Sequence, residues 1–260
     1  MAIVTLTTDL GTKDFYVASI KGKLLSLHSQ AQVIDISHHI PAFDIQLAAF
    51  SVRNSYKDFP KGSIHIIGVN PAKTPLHKHV VVSYNDHFFI GSDNGFFSLL
   101  IDETAKAKIV EIKGDPSSKS QTFPVKDIFV EVAAFLLKDG EMGKIGPPVT
   151  QVFERNTLAP VLDADTIRGV ARYIDYMGNI TTNITGEMFR NVGKGRSFEI
   201  TFRRLDYTIK QLSLDYESVP EGERLALFNH ADHLEIAINR GNASKLFGIK
   251  IYDTIRIDFI

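Results

Sequence analysis

Acidic side chains stand at the end of the first short apolar segment of this chain, residues 3–7, where a β-strand is predicted. Asp9 and Asp14 flank a glycine turn there. Two carboxylates five residues apart at a strand end suit the two hydroxyls of a ribose or an ammonium group. Asp14 also stands just before a helical pattern, so a purely structural role as a helix N-cap is an equally good interpretation of it.

Polar residues also follow later predicted strands of this half. Asn70 comes directly after residues 63–69 and leads into a loop that carries His77 and His79. Imidazole is a common ligand of zinc and similar ions, but no carboxylate or third histidine has clear ligand spacing, so we predict no metal site. Residues 92–95, Ser-Asp-Asn-Gly, follow a further strand. We interpret them either as a turn or as a polar site with close backbone approach.

A hairpin with a tight glycine turn is predicted within residues 174–183, in the second half of the chain. On either side of that turn stand Asp175 and Asn179, whose side chains could face one pocket. A plain Gly-Asn turn without a further role is the alternative. Later in the chain, residues 234–238 form a predicted strand that ends at Asn239, just before a short helical segment.

The elements that must position these residues fall into two groups. In residues 1–150, short β-rich segments alternate with helical patterns, which predicts an α/β domain with a largely parallel sheet. Ligands of such sheets gather in the loops at the carboxyl ends of the strands. The predicted strands are residues 3–7, 32–37, 63–69, 79–84, 88–91 and 108–112, and the predicted helices are residues 15–27, 44–56 and 125–137.

The pattern changes after Gly146-Pro147-Pro148. We assign residues 151–165 to a linker and residues 166–260 to a smaller, mostly antiparallel β-domain, because predicted strands there follow one another with few helices between them. The predicted strands are residues 167–174, 197–202, 207–214, 224–228, 234–238 and 255–259, with short helices at 187–191 and 243–247.

Composition narrows the classes of function. The 260 residues carry a net charge of −1, so the chain has no general field that would attract nucleic acid or an anionic membrane. The chain has no cysteine, which excludes disulfides and thiolate metal sites. The first residues form no signal-peptide pattern, and no segment reaches the roughly 20 apolar residues of a membrane span. We therefore expect no nucleic-acid partner, no membrane partner and a cytoplasmic location.

Five segments, taken together, resemble the family of proteins that cleave S-adenosylmethionine (SAM) at C5′. These proteins are the adenosine-forming SAM hydrolases, also called SAM hydroxide adenosyltransferases, and the related fluorinase and chlorinase. The similar segments come in the family's order and span nearly the whole chain. They are residues 7–14 together with Lys21-Gly22, residues 33–41 (Val-Ile-Asp-Ile-Ser-His-His-Ile-Pro), and residues 92–95, 174–183 and 234–244.

The resemblance implies a fold, an assembly and a kind of ligand. The fold is an N-terminal α/β domain followed by a smaller C-terminal domain that is mostly antiparallel and β-barrel-like, in agreement with the pattern above. The family forms homotrimers, in which each ligand site lies between the first domain of one subunit and the second domain of a neighbour. No cofactor is implied besides SAM itself, which is the substrate or ligand.

The adenosine half of SAM would be held, by this resemblance, by residues from both domains. Asp9 would hold the ribose hydroxyls, and Phe43 would wall the ribose and sulfonium region. An aromatic face beside a sulfonium gains about 0.5–2 kcal/mol of cation–π attraction. Asn179 and the backbone around Asn239 would read the adenine edge, and Tyr216 would stack on the base.

The methionine half would be held in part by carboxylates. Asp14 and Asp175 would meet the methionine ammonium, since carboxylates pair with cationic groups. At His230-Ala231 the family has a small hydroxyl residue, to which the halogenases add an arginine, for the methionine carboxylate. Ala231 has no hydroxyl, so His230 or Arg240 would have to take this role.

The residues that would handle water depart from the family pattern. The hydrolases use an Asp-Arg-His set to orient or deprotonate water, and the corresponding positions here are Asn70, His77 and Pro124. An amide is not a base, and proline has neither a polar side chain nor an N–H. Losing a general base slows a reaction about 10²–10⁴-fold. Histidine titrates near neutral pH, so His77 either replaces that base or is a solvated loop residue.

Three functions follow from these residues. A divergent SAM hydrolase, which yields adenosine and methionine by in-line displacement with Asn70 and His77 positioning water, is the leading one. A non-catalytic protein that binds SAM or adenosine is the second, and transfer of the adenosyl group to another nucleophile is the third. Halide is not expected as that nucleophile, because Val125 stands where fluorinase has a serine that contacts it.

Overall fold

The structure, a computed structural model, describes residues 3–101, 107–113, 122–139, 141–156, 158–202 and 204–260. The chain divides into two units, Met1–Thr157 and Leu158–Ile260, each with its own apolar core. The division falls within residues 151–165, the predicted linker. That stretch also holds a two-residue strand, Val161–Leu162, which pairs with the strand that follows it.

The first unit is built on a six-stranded sheet. Its strands are β1 (Ile3–Thr8), β2 (Gln32–Ser37), β3 (Ile64–Gly68), β4 (His79–Tyr84), β5 (His87–Ser92) and β6 (Lys108–Glu111). They lie in the order β2-β1-β3-β5-β4-β6. The pairs β1–β2, β1–β3 and β3–β5 are parallel, whereas β4 runs antiparallel to both of its neighbours. The predicted largely parallel sheet is confirmed.

Helices cover both faces of this sheet. They are α1 (Tyr16–Leu27), α2 (Ile45–Arg53), α3 (Phe96–Leu100) and α4 (Val130–Asp139), the last continuing from a π-helical turn, Val125–Phe129. Ile20 and Phe129 pack with Ile66 on one face, whereas Ile45 and Phe96 pack with Ile67 on the other. Successive strand residues are therefore apolar and buried on opposite faces, which is typical of a sheet with two helical layers.

The second unit is an antiparallel sheet that is nearly closed into a barrel. Its strands are β7 (Val161–Leu162), β8 (Thr166–Ile174), β9 (Ile180–Thr185), β10 (Phe198–Phe202), β11 (Arg204–Ile209), β12 (Arg224–Phe228), β13 (His233–Ile238) and β14 (Thr254–Phe259). They lie in the order β11-β10-β14-β8-β9-β13-β12, with β7 beside β8. The two end strands approach each other where Arg224 Nε donates to the Thr208 carbonyl at 3.1 Å. Two helices, α5 (Gly186–Gly193) and α6 (Ala243–Phe247), accompany the sheet.

Some local predictions differ from the structure. Helix α3 was not predicted, because a five-residue segment with four apolar residues after a turn carries no helical period. Strand β9 was predicted as part of a hairpin but not as a strand of its own. The predicted strand 207–214 is too long at its carboxyl end, since β11 ends at Ile209 and the chain then loops, with Ser213 N donating to the Ala226 carbonyl. None of the helices in the described ranges is long and apolar enough to cross a membrane.

Candidate functional site

Asp9 connects the end of the first strand, β1, to the loops that follow β2 and β3. The residue is half-buried and directly follows β1. Its Oδ2 accepts the backbone N–H of Phe43 at 3.0 Å and that of Asn70 at 3.3 Å. Both donors have positive φ, 66° at Phe43 and 44° at Asn70, a conformation that residues other than glycine rarely adopt. The carboxylate therefore stabilises two strained loops at the end of the sheet where ligands bind.

Asn94 holds the same loop from the other side. This residue is buried, and its Nδ2 donates to the carbonyls of Val69 at 3.2 Å and Asn70 at 3.0 Å. The N–H of Asn70 is bound to Asp9 and its carbonyl to Asn94, so the backbone at Asn70 is fixed in one orientation. The sequence predicted residues 92–95 to be either a turn or a polar site, and Asn94 acts here by positioning a neighbouring candidate residue.

His77 lies in a cluster with Asp93 and Phe153. Both carboxylate oxygens of Asp93 accept the Phe153 N–H, at 2.9 and 3.0 Å, and the His77 ring meets the Phe153 ring edge-on at 4.8 Å. Burial raises the pKa of Asp93, although the Phe153 hydrogen bond and the charges of His77 and Lys78 partly oppose this. Within the described residues no hydrogen bond joins His77 to Asn70. The structure thus places His77 beside a buried carboxyl group.

His79 has a different environment from His77. Its Nε2 lies 2.8 Å from the Pro71 carbonyl, and its ring packs edge-on against Phe129. Burial lowers the pKa of His79. Among the residues that the structure describes, no group of three histidine or acidic side chains is arranged to hold a metal ion. The two histidines thus do not share a partner.

A buried histidine that received no role from the sequence supports the end of β1. His38 Nδ1 lies 2.8 Å from Thr8 Oγ1, and its Nε2 lies 3.0 Å from Asp35 Oδ1. Lys21 Nζ donates to Asp35 Oδ2 at 2.6 Å. Burial tends to raise the pKa of Asp35, but the bonds from Lys21 and His38 outweigh it and lower that pKa. The available signal was the segment 33–41, which resembled the family without any role attached to its histidines.

Asp14 and Phe43 are both exposed in the chain. Helix α1 begins at Tyr16 with Phe15 as its N-cap, and no side chain caps it. The capping interpretation of Asp14 is therefore wrong, because the helix starts one residue too late for it. Phe43 is 69 % exposed, although its backbone is tied to Asp9. Both side chains are accessible to a ligand.

In the second unit, Asp175 and Asn179 bind each other across the turn between β8 and β9. Asp175 Oδ1 accepts the Asn179 N–H at 2.8 Å, and its Oδ2 accepts Asn179 Nδ2 at 3.0 Å. Gly178, with a φ of 91°, closes the turn. A Cβ at Gly178 would lie 2.2 Å from the Asn242 side chain. The two predicted site residues are thus brought together, and the turn that holds them packs tightly against the start of α6.

Tyr216 is attached to a buried glutamate that sequence reasoning missed. The Tyr216 hydroxyl donates to Glu235 Oε1 at 2.6 Å, and Glu235 is 5 % exposed. Burial raises the pKa of Tyr216, as do the hydrogen bond to Glu235 and the charge of Asp175. Asp175 is therefore close enough to act on the phenol. The signal for Glu235 in the sequence was a charged residue in the middle of an apolar strand.

The side chain and backbone of Asn239 form hydrogen bonds within the protein, which the sequence did not indicate. Its side chain is buried, and Nδ2 donates to the Val219 carbonyl at 2.7 Å. Its backbone N–H donates to the Glu223 carbonyl, and its own carbonyl accepts from Gly222. Any backbone contact with a ligand near this position therefore has to come from the residues that follow Asn239.

The two units thus carry one cluster each of carboxylate and amide side chains with an exposed aromatic residue, features that suit a protein that binds a small polar ligand. The model of the SAM hydroxide adenosyltransferase N-terminal domain matches residues 4–146, and that of the C-terminal domain matches residues 169–256. These two matches cover most of the chain. The chain belongs to the SAM hydroxide adenosyltransferase family.

Individual relatives agree with this membership over nearly their whole length. A protein of Methanocaldococcus jannaschii named (R)-S-adenosyl-L-methionine hydrolase is 27 % identical, with 98 % of this chain and 95 % of that protein covered. One of the same name from Thermus thermophilus is 27 % identical, with 96 % and 97 % covered. The crystal structure of an uncharacterized conserved protein from Thermotoga maritima has a TM-score of 0.88 at 27 % identity, covering 98 % and 99 %. A fluorinase of Actinopolyspora mzabensis is more distant, at 22 % identity over 98 % and 96 %.

Proposed function

We propose that the chain is a SAM hydrolase that converts SAM and water to adenosine and methionine. In this reaction a water oxygen bonds to C5′ on the side opposite the sulfonium, and the C5′–S bond breaks with its electron pair remaining on sulfur. The water loses one proton. The observation that carries the proposal is the Asp9 carboxylate, held at a strand end by the Phe43 and Asn70 N–H groups. A carboxylate fixed in this way is preorganised to accept the two ribose hydroxyls.

The adenine and ribose would be recognised by residues already placed in rigid local structures. Phe43 is exposed beside Asp9 and offers an aromatic face to the ribose and the sulfonium. Asn179, held by Asp175, would hydrogen-bond the adenine edge, together with backbone near Asn239. Tyr216 is 42 % exposed and would stack on the base. In the proposal these residues act on one adenosine.

The methionine half would be recognised by charge. Asp14 is exposed near the start of α1, and Asp175 is close enough to Tyr216 to raise its pKa. Both carboxylates would pair with the methionine ammonium. The methionine carboxylate would be held by His230, which is exposed in the loop between β12 and β13.

The chemical step would depend mainly on alignment and on exclusion of water, because the sulfonium is already a good leaving group. We assign Asn70 and His77 to the attacking water. The Asn70 backbone is fixed by Asp9 and Asn94, which would fix the position from which its side-chain amide reaches the water. His77 lies beside the buried Asp93, whose carboxyl group would support a protonated imidazole after proton transfer.

The proposal includes a homotrimer with sites shared between subunits and a cytoplasmic location. Large apolar side chains next to the assigned residues support the assembly, since Phe43 is 69 % exposed and Tyr176, beside Asp175, is 99 % exposed. Exposed apolar surface of this kind marks binding or subunit contacts. The lack of cysteine is compatible with the cytoplasm.

Incubation of the purified protein with SAM, followed by chromatography and mass spectrometry, tests the function. We expect adenosine and methionine to form in equal amounts, and we expect Asp9→Ala to abolish this. Asp58→Ala, which changes an exposed aspartate after α2, is the matched control and should leave the rate unchanged. His77→Ala should lower the rate about 10²–10⁴-fold if His77 is the base. Release of no more adenosine than a heat-treated sample would contradict the hydrolase assignment.

A protein that binds SAM or adenosine without turnover is the second candidate. It is favoured by the amide at Asn70 and by Pro124, which directly precedes the π-helical turn and has no polar group to direct at water. This function predicts calorimetric binding of SAM that Asp9→Ala abolishes, with no product formed. A steady yield of adenosine over many turnovers would exclude it.

A further inference from the structure

Glu235 is a buried carboxylate on a strand of the barrel, close to the residues assigned to adenine and on the opposite face of that strand from the core residues Leu234 and Ile236. It lies on β13, where Thr181 of β9 and Leu227 of β12 are its cross-strand neighbours. The surrounding residues of β13 are apolar and buried, and Glu235 itself is 5 % exposed. A carboxylate in such a position is stable only when several donors satisfy it.

Three donors from three separate elements meet at this carboxylate. Tyr216 Oη donates to Oε1 at 2.6 Å, while Asn229 Nδ2 at 3.0 Å and Thr181 Oγ1 at 3.3 Å donate to Oε2. The Tyr216 bond is the shortest of the three, as expected for a phenol that donates to an ionised carboxylate. Glu235 therefore fixes the orientation of a side chain whose ring is otherwise 42 % exposed.

Asn229 extends this arrangement to the loop that follows β12. Its Oδ1 accepts the N–H groups of Ala231 at 3.1 Å and His233 at 3.2 Å. Its backbone N–H also donates to the His233 carbonyl at 3.0 Å. The turn at residues 229–233, which contains His230, is thus organised by an amide that Glu235 holds in place.

We propose that Glu235 is a positioning residue that sets the Tyr216 ring and the 229–233 turn together, so that the adenine-stacking and methionine-binding groups have one fixed relation. The inference rests on the proposed function, because it assigns a ligand to these two groups. Glu235 itself does not touch the ligand. It acts through Tyr216 on adenosine and through Asn229 on the amino-acid half of SAM.

Binding measurements on Glu235→Gln test the inference. The amide keeps the size of the side chain but replaces one acceptor oxygen with a donor and removes the charge, so the charge-assisted bond from the Tyr216 hydroxyl becomes at best a neutral bond, or one of reversed direction. We expect the Kd for adenosine to rise about tenfold, and kcat to fall by less than about threefold. Glu199→Gln is the matched control, since Glu199 lies on β10 of the same barrel and pairs with Lys210 at 3.3 Å.

Tyr216→Phe removes the hydroxyl and keeps the ring, which allows a double-mutant cycle. In the Tyr216→Phe background, Glu235→Gln should add less than about twofold to the Kd for adenosine but should still raise the Kd for SAM. The chain has only eight tyrosines and no tryptophan, so the NMR signals of individual tyrosine rings can be resolved. The Tyr216 signal, assigned by its loss in Tyr216→Phe, should titrate at lower pH in Glu235→Gln, whereas the other tyrosine signals should titrate as in the wild type, because a general loss of stability would shift them as well.

The outcomes separate this inference from the function on which it rests. A wild-type chain that neither binds adenosine nor releases it from SAM would remove the proposed function, and this inference with it. A wild-type chain that binds adenosine as tightly as Glu235→Gln does would overturn the positioning role alone. If Glu235→Gln does not fold, Tyr216→Phe should still weaken adenosine binding relative to Glu199→Gln, and equal affinities would overturn the inference.

Discussion

At the scale of single residues, the candidate site of the first unit depends on side chains that hydrogen-bond to the backbone of neighbouring loops. One oxygen of Asp9 binds the N–H groups of Phe43 and Asn70, both at positive φ. Such backbone conformations require about 1–3 kcal/mol each and persist where surrounding bonds stabilise them. Asn94 supplies the opposing bond to the Asn70 carbonyl. The backbone orientation at Asn70 is therefore set by hydrogen bonds to Asp9 and Asn94.

Asn94→Asp should disrupt this arrangement. The substitution removes the donors to Val69 O and Asn70 O and places a carboxylate beside two carbonyls in a buried position. We expect the free energy of unfolding to fall by about 2–3 kcal/mol, measured by urea denaturation. Asn191→Asp, on the exposed surface of α5, is the control and should change it by less than about 0.5 kcal/mol. Equal stabilities of the two variants would contradict the role of Asn94.

A second residue-scale prediction concerns two buried histidines. His65 Nδ1 lies 2.7 Å from Thr5 Oγ1, and its Nε2 lies 3.1 Å from His87 Nδ1. Burial lowers the pKa of His65 to about 3, with a contribution from His87, and burial also lowers the pKa of His87. Because the unfolded chain takes up these protons first, stability is fully present above about pH 6.5 and falls as the pH drops toward 3.

The measurement is the unfolding free energy between pH 7.5 and pH 5. His65 alone should contribute a loss of about 1.4 kcal/mol for each pH unit below 6.5. His65→Gln keeps hydrogen-bonding groups without a titrating ring, so its stability should depend less steeply on pH over this interval. Parallel pH profiles for the wild type and His65→Gln would show that His65 does not take part.

At the scale of elements, the turn between β8 and β9 and the start of α6 form one rigid structure. Ser244 N donates to the Gly178 carbonyl at 2.9 Å, and the Asn242 side chain accepts from Lys245 N as the N-cap of α6. Asp175 and Asn179 are therefore fixed by the hairpin and by a helix that is distant in sequence. Contacts between these two elements therefore support the hydrogen bonds between Asp175 and Asn179.

Gly178→Ala should break this contact. The residue has a φ of 91°, and an added Cβ would lie 2.2 Å from the Asn242 side chain, so both backbone strain and overlap oppose it. We expect a loss of about 3 kcal/mol in unfolding free energy and weaker ligand binding. Gly195→Ala has a similar φ of 80° with open space around it, and should lose only about 1 kcal/mol. A Gly178→Ala loss no larger than that of Gly195→Ala would contradict the overlap.

Most elements could be predicted from the sequence because their signals are local. Alternation of apolar segments and helical spacing gave the order of strands and helices, and β2, β4 and β12 have the predicted bounds. Helix α3 could not be predicted, since four of its five residues, all but Ser98, are apolar and buried, so the segment shows no helical alternation of apolar and polar positions. Strand β11 ends early because the following loop bonds to β12, a tertiary contact that periodicity does not contain.

The candidate site divides in the same way. Residues at strand ends, such as Asp9 and Asn179, carry a sequence signal, because polar groups after apolar segments stand out. The residues that hold them do not: Asn94 resembled a turn, and the role of Glu235 depends on bonds to Tyr216 and Asn229 that folding creates. The Asp14 capping role was wrong because helix α1 begins at Tyr16.

At the scale of the whole molecule, the residues assigned to SAM are divided between two units of different architecture. The first unit carries Asp9 and Asn70, and the second carries Asp175, Asn179 and Tyr216. Neither unit alone holds the complete set that the proposed function requires. A site assembled from two subunits would supply the complete set and would cover apolar side chains that are exposed in the single chain.

The proposed homotrimer should depend on these apolar side chains. Light scattering of the wild type should give three times the 29.0 kDa mass of the chain. Tyr176, 99 % exposed, and Met177, 66 % exposed, are adjacent on the turn that carries Asp175. Tyr176→Glu would bury a charge in a subunit contact and should shift the mass toward that of the monomer and reduce SAM binding together. Leu25→Glu, on α1 in the first unit, is the control and should leave the mass unchanged. A monomeric wild type that binds SAM fully would refute the shared site, because one chain would then suffice.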